Sequence, residues 1–134
     1  MADETLGAFL ENLWTRDVAE VFVAGEGSAY TEWNLSPRGA WWAQGHSSQR
    51  QRDAAFIKPT QVETWAKQLE TGGWQAGLIC PIDPRLRLEA LRLNVSMIFG
   101  AGESRTYLAT VTLPAAAPDF HIINCYPKPT LEKN

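Results

Sequence analysis

Apolar residues recur at every second position in several short runs of this chain, the period of a half-buried strand. The run DVAEVFV at 17–23 carries the β-branched residues that suit a pleated surface. AGEGSA at 24–29 follows, with two glycines able to take the backbone angles of a turn. YTEWNL at 30–35 alternates again, and SPRG at 36–39 breaks the run. These pieces predict a hairpin. GWQAGLICPI at 73–82 reads as a further strand, closed by Pro81 and Pro84. LRLNVSMIF at 91–99 alternates cleanly. Leu91, Leu93, Val95, Met97 and Phe99 share one face, which is expected to pack, and Arg92, Asn94 and Ser96 share the other. AGES at 101–104 is a turn and RTYLATVTLP at 105–114 a strand, which predicts a second hairpin.

The stretch TQVETWAKQLETGG at 60–73 fits two elements. Thr60 with Glu63 would make a helix capping box, and Val62, Ala66 and Leu69 sit near helical spacing. A twisted edge strand would equally place Val62, Thr64 and Ala66 on one face. Many short strands with Gly and Pro turns predict an all-β, antiparallel β-sandwich.

Composition narrows the function. The chain has 134 residues, enough for one domain over 1–134 with its own core and no need of staples. The net charge is -3, which argues against a nucleic-acid partner. No apolar run approaches the about 20 residues of a membrane span, and no basic amphipathic stretch suggests a membrane surface. The first residues lack a basic start and an apolar core, so no signal peptide is expected. The chain then reads as cytoplasmic unless it is part of a longer one. Cys80 and Cys125 are far apart and form no zinc-type spacing; free thiols are expected.

The first hairpin carries two acids. A register with Glu20 opposite Glu32, Val18 opposite Asn34 and Phe22 opposite Tyr30 would bring like charges to about 5 Å. Something must then neutralise them: a raised pKa, or a cation. Arg92 and Asn94 are natural partners if their strand joins the same sheet. Three readings stay open for the pair: two solvated carboxylates, a polar binding face, or a metal site. A glycosidase acid and base is a further use of such a pair. No phosphate-binding loop, nucleophile elbow or HExxH is present.

At this point a family resemblance appears. LWTRDVAEVFV at 13–23 followed by YTEWNLSPRGAWW at 30–42 resembles the signature of family-9 carbohydrate-binding modules and their DOMON-like relatives. GGWQAGLICPI at 72–82 resembles the family's Gly-Trp strand into an Ile-Pro turn, LRLNVSMI its Arg-x-Asn strand, and PDFH at 118–121 its closing motif. The matches fall in the expected order from Leu13 to about Pro129. The resemblance implies an immunoglobulin-like or jelly-roll sandwich that binds sugar without catalysis, and a calcium ion that often stabilises it. It also implies a polar grip from Glu20, Glu32, Arg92 and Asn94, with His121 beside them. Tryptophans would clasp the sugar, Trp41 and Trp42 first and Trp14 third. The family usually has strands ahead of the Leu-Trp motif, where this chain has twelve residues. Its first strands are therefore expected to be missing, leaving a sheet edge for a partner chain or a second copy to cover.

A sugar ring stacks its C–H face on an aromatic ring and needs directed hydrogen bonds for its hydroxyls. Trp33 shares a face with Thr31 and Leu35 and is expected in the core, and Trp14, Trp65 and Trp74 are expected to pack. Trp41 and Trp42 are adjacent, so in a strand they point to opposite faces and one is expected to be exposed. Met97 with His121 would suit a haem, but Met97 lies on the apolar face of its strand and is expected to pack. The alternatives to saccharide binding are a scaffold domain that has lost its ligand and a glycoside-processing enzyme using Glu20 and Glu32. In a scaffold the polar face should be plugged, by its own side chains or by the loop at 43–53.

Overall fold

The computed structural model describes residues 4–84, 86–100, 102–110, 119–121 and 126–130. The chain is all-β, as the alternation predicts. A single turn of 3-10 helix, Leu13–Thr15, precedes eight strands: β1 (Val18–Ala24), β2 (Tyr30–Leu35), β3 (Trp41–Ser48), β4 (Gln51–Arg52), β5 (Glu63–Gln68), β6 (Trp74–Ile79), β7 (Arg92–Phe99) and β8 (Thr106–Ala109). Six of them form one antiparallel sheet in the order β4-β3-β2-β1-β7-β8, and β5 pairs with β6 in a second. No helix among the described residues is long and apolar enough to cross a membrane. The expected continuation of β8 through 111–114, Pro118 of the closing motif and Cys125 lie outside the described residues; Cys80 is a free thiol.

The ambiguous stretch at 60–73 is a strand. In β5 the positions alternate, and Val62, Thr64 and Ala66 turn inward as an edge strand would place them. A helix would have left the backbone groups of β6 at the edge without partners; pairing from Glu63↔Ile79 to Gln68↔Trp74 satisfies both strands. Trp65 lies about half exposed and covers Gly77, where any Cβ would run into the indole.

The small sheet lies on one face of the large one. There Trp33, Trp41 and Ala43 are buried against Val21, Val23, Phe9, Phe56, Val62, Leu78 and Cys80. On the opposite, inner face a second cluster joins Val18, Phe22, Ala24, Tyr30, Trp42 and Ile98 with Leu13, Phe120 and Tyr126. Both faces of the central strands are therefore covered, and Glu32, Trp33, Asn34 and Leu35 of β2 are all buried in succession. This arrangement is consistent with a β-sandwich.

Two expectations need correction. The first is the hairpin register. Glu20 faces Asn34, Phe22 faces Glu32 and Ala24 faces Tyr30, two residues away from the predicted pairing. Strand β1 runs through Ala24, so the turn is shorter than its composition suggests. A shift of two keeps each side chain on its face, so both acids still point inward, as diagonal neighbours. The second is the packed face of β7. Asn94, Ser96 and Ile98 are buried, whereas Val95 on the apolar side is exposed. Pairing explains the inversion: Glu20 faces Ser96 and Phe22 faces Asn94, so this face of β7 lies against the polar interior of β1.

The SPRG break is a hydrogen-bonded turn. Gly39 N–H donates to Ser36 O (3.0 Å), and Ser36 Oγ accepts from the backbone N–H of Arg38 and Ala40. Gly39 has φ +84, and a side chain there would meet Leu6. The residues ahead of the Leu-Trp motif have a role of their own. Trp41 N–H donates to Ala8 O and Leu10 N–H to Trp41 O, so this segment pairs in parallel with the start of β3. With β4 on its far end, the outer edge of β3 is covered by the chain itself.

Candidate functional site

A cavity of about 340 Å³ opens on the inner face of the large sheet. Its walls come from every part of the sheet: Glu20, Glu32, Trp42 and His46 from the first three strands, Ile98 and Tyr107 from the last two. Strand alternation sets this. Asn34 faces Trp42 and Tyr30 faces His46, so period two carries Trp42 and His46 to the face that holds Glu32. Trp14, Phe120 and His121 close the apolar and imidazole side; the exposed Arg50 and Arg52 and the partly buried Arg105 complete the lining.

The floor is a hydrogen-bonded network. Glu32 Oε1 accepts from Asn34 Nδ2 (3.0 Å), and its Oε2 lies 3.1 Å from His46 Nε2 and 3.7 Å from His121 Nε2. His121 Nδ1 is 2.7 Å from the Tyr30 hydroxyl, which also accepts from the Arg50 backbone N–H at 2.9 Å. The Tyr30 ring stacks on His46 with centroids 4.7 Å apart. Ser96 donates to Glu20 Oε2 at 3.2 Å.

The two acids sit in opposite electrostatic states. Burial first, and the charge of Glu32 second, push the Glu20 carboxyl up to about 8. Burial also works against ionised Glu32, but hydrogen bonds from His46 and Asn34 and the charge of His121 outweigh it and hold its pKa below the usual carboxylate range. Burial lowers the His121 pKa despite the attraction of Glu32. Near neutrality the floor thus carries one charged and one protonated carboxyl.

The sequence-predicted residues are only partly brought together. Glu20, Glu32, Trp42 and His121 line the cavity. Trp41 does not; it is buried on the opposite face, packed edge-on against Phe9 and stacked with Trp33. Neither member of the Trp pair is exposed: relative exposure is 5% for Trp41 and 4% for Trp42. The small sheet and the segment at 8–10 cover the first. Trp14 and the Arg52 guanidinium, 5.2 Å from the ring centroid, cover the second. Arg92 does not line the cavity. It donates to the carbonyl oxygens of Gly25 and Gly27 and ties the β1–β2 turn to β7. The guanidiniums that face Glu20 are those of Arg105 and Arg50. Asn94 is fully buried outside the cavity wall, its Oδ1 accepting from Thr110 Oγ1 (3.1 Å).

Sequence reasoning missed His46, Arg50, Arg52, Arg105 and Tyr107. His46 was legible, since it lies four residues after Trp42 in one strand and so shares its face. Arg50 and Arg52 lie in the polar loop considered only as a plug. Arg50 has φ 56 and pairs with Asp119, which anchors the rim. Arg105 donates to the carbonyl of Trp14 and stands over Tyr107. Tyr107 needed the β7–β8 register, Ile98↔Tyr107.

In fold, the chain resembles a candidate carbohydrate-binding protein from Bacteroides uniformis. The two structures superpose with a TM-score of 0.66 at 16% sequence identity, over 92% of this chain and 64% of the other. This chain therefore spans a little under two thirds of that protein, and the likeness is one of fold. No family model matches the sequence, and no curated protein matches it.

A calcium ion, implied by the family resemblance, wants a cage of oxygen ligands. Among the described residues the His, Cys and acidic side chains that converge in a group of three are Glu32, His46 and His121. Two imidazoles make this a poor calcium site. A second cavity, of about 480 Å³, lies on the outer face and is lined mainly by apolar side chains such as Trp33, Phe56, Ile57 and Ile82. It offers few groups for sugar hydroxyls.

Proposed function

We propose that this domain binds a saccharide, without catalysis, in the inner-face cavity, as a family-9-like or DOMON-like carbohydrate-binding module. The observation that carries the reading is the composition of that cavity. Trp14, Trp42, Tyr107 and Phe120 offer aromatic surface, and Glu20, Glu32, Arg50 and His121 offer donors and acceptors on the opposite walls. Its volume falls at the small end of the about 300–1,000 Å³ typical of ligand sites, suited to one or two sugar rings. The fold likeness and the ordered motif series support the same reading. The exposed Arg50 and Arg52 side chains frame a mouth to the cavity, while its floor residues Glu20, Glu32 and Trp42 are buried.

The test should use exposed rim residues, because Trp42 is core and its removal would unfold the site. Tyr107 and Arg52 both line the cavity and are well exposed. Tyr107→Ala and Arg52→Ala are each expected to weaken saccharide binding about tenfold, roughly 1.4 kcal/mol, with unchanged melting. Glycan arrays followed by calorimetry would measure this. Absence of binding to any mono- or oligosaccharide at millimolar concentration would refute the reading.

One observation favours a second reading. Environments that drive two carboxyls apart, Glu20 up and Glu32 down, are those of an acid and a base. A glycoside-processing enzyme would turn over aryl glycosides and lose turnover with either Glu20→Gln or Glu32→Gln. A preparation that binds sugar but releases no aryl alcohol excludes it.

A further inference from the structure

We infer that Glu32, His46 and His121 form a binding site for a divalent cation of the zinc class, open toward the cavity. The chain has only two histidines, 75 positions apart in sequence, and both converge on one carboxylate oxygen. A hydrogen bond from His46 serves Oε2 on its own; His121, at 3.7 Å, is beyond hydrogen-bond reach and still presents its Nε2 to the same oxygen.

The distances suit a metal. A tetrahedral zinc with ligands at about 2.0–2.1 Å separates those ligands by roughly 3.3–3.4 Å. The observed separations from Glu32 Oε2 are 3.1 Å to His46 Nε2 and 3.7 Å to His121 Nε2. One ligand atom from each of the three residues lies within 4.8 Å of the others, so side-chain shifts of under an ångström complete the set. The donors, two imidazoles and one carboxylate, suit zinc and its neighbours rather than calcium or magnesium.

The surroundings orient the ligands. Asn34 Nδ2 holds the other oxygen, Oε1, and leaves Oε2 to the centre. The Tyr30 hydroxyl engages His121 Nδ1, the outer contact that fixes a ligating imidazole. Among the described residues none hydrogen-bonds His46 Nδ1; stacking on Tyr30 positions its ring instead. Three protein ligands leave a position for water or for a hydroxyl of a bound molecule, and all three residues line the cavity. The inference does not depend on the identity of that molecule.

Equilibrium dialysis of the full chain against zinc is expected to show one equivalent bound. Cobalt in its place should give the visible bands of a low-symmetry, nitrogen-containing site. Nitrogen-15 spectra of the wild-type imidazoles should show both histidines shifting together with one equivalent of zinc. This readout needs no variant. His46→Gln and His121→Gln should each weaken binding at least ~100-fold, and Tyr30→Phe about tenfold, through loss of the outer contact to His121. Zinc binding that survives both histidine changes would place the metal elsewhere and overturn the inference. So would the absence of bound zinc at about 0.1 mM free metal and pH 7.5, or a titration in which only one histidine responds.

Discussion

Glu20→Gln is expected to stabilise the protein at alkaline pH and to flatten the dependence of its stability on pH. The carboxyl is raised from 4.5 to about 8 by burial and then by the charge of Glu32. Below pH 4.5 it is protonated in both the folded and the unfolded chain and has no effect. Between 4.5 and 8 the unfolded chain ionises while the folded one holds its proton, so stability falls by about 1.4 kcal/mol per pH unit. Above the folded value the loss is complete and amounts to roughly 4–5 kcal/mol. Glutamine stays neutral throughout and still accepts from Ser96. The variant and the parent should therefore differ little at pH 5 and most at pH 9. Urea unfolding across that range, in a chelator so that metal plays no part, measures the difference. Equal slopes in the two proteins would mean that water reaches Glu20 in the folded state.

That expectation depends on which faces are buried, and this was the least legible feature of the sequence. Strand positions were readable because alternation and Gly/Pro breaks are local. Glu20 and Glu32 were placed on one face by counting in twos, and that survived a register error of two residues. Burial was harder. In β7 the alternation is clean, yet the polar side is the inner one. The sequence of one strand says which side chains share a face but not which face meets the core. The same limit hid Trp41: a strand covered on both sides has no polar side to mark solvent. Arg92 stands away from the cavity for a related reason. It lies on the expected face but at the far end of the strand, where it donates to carbonyls of a turn. Side chains that complete the site from Arg50 to Tyr107 depend on loops and on pairing between distant strands, which no local pattern encodes.

The polar inner face raises the question of what holds the sheet to the elements above it, and Phe22 supplies the answer. It is fully buried between the acids of β1 and β2, and it touches four rings. Tyr30 lies 6.4 Å away by ring centroids, Phe120 6.5 Å, Tyr126 6.1 Å, and His121 5.0 Å edge-to-face. Three of these rings, Phe120, His121 and Tyr126, come from the described residues near the end of the chain, and His121 belongs to the site. Phe22→Ala is therefore expected to cost about 3–5 kcal/mol, transfer and cavity terms together. That is a large share of the about 5–15 kcal/mol available to a domain. Trp65→Ala, which removes a larger but half-exposed ring, is expected to cost about 1 kcal/mol. Measured by urea unfolding, a Phe22 effect no larger than that of Trp65 would show that the closing segment does not pack on this sheet face. With Phe22→Leu the core is refilled in part, and about half of the loss should return. If the loss returns while affinity for the cavity's ligand stays low, Phe22 acts on the site through the edge of His121; if both return together, it acts through stability alone.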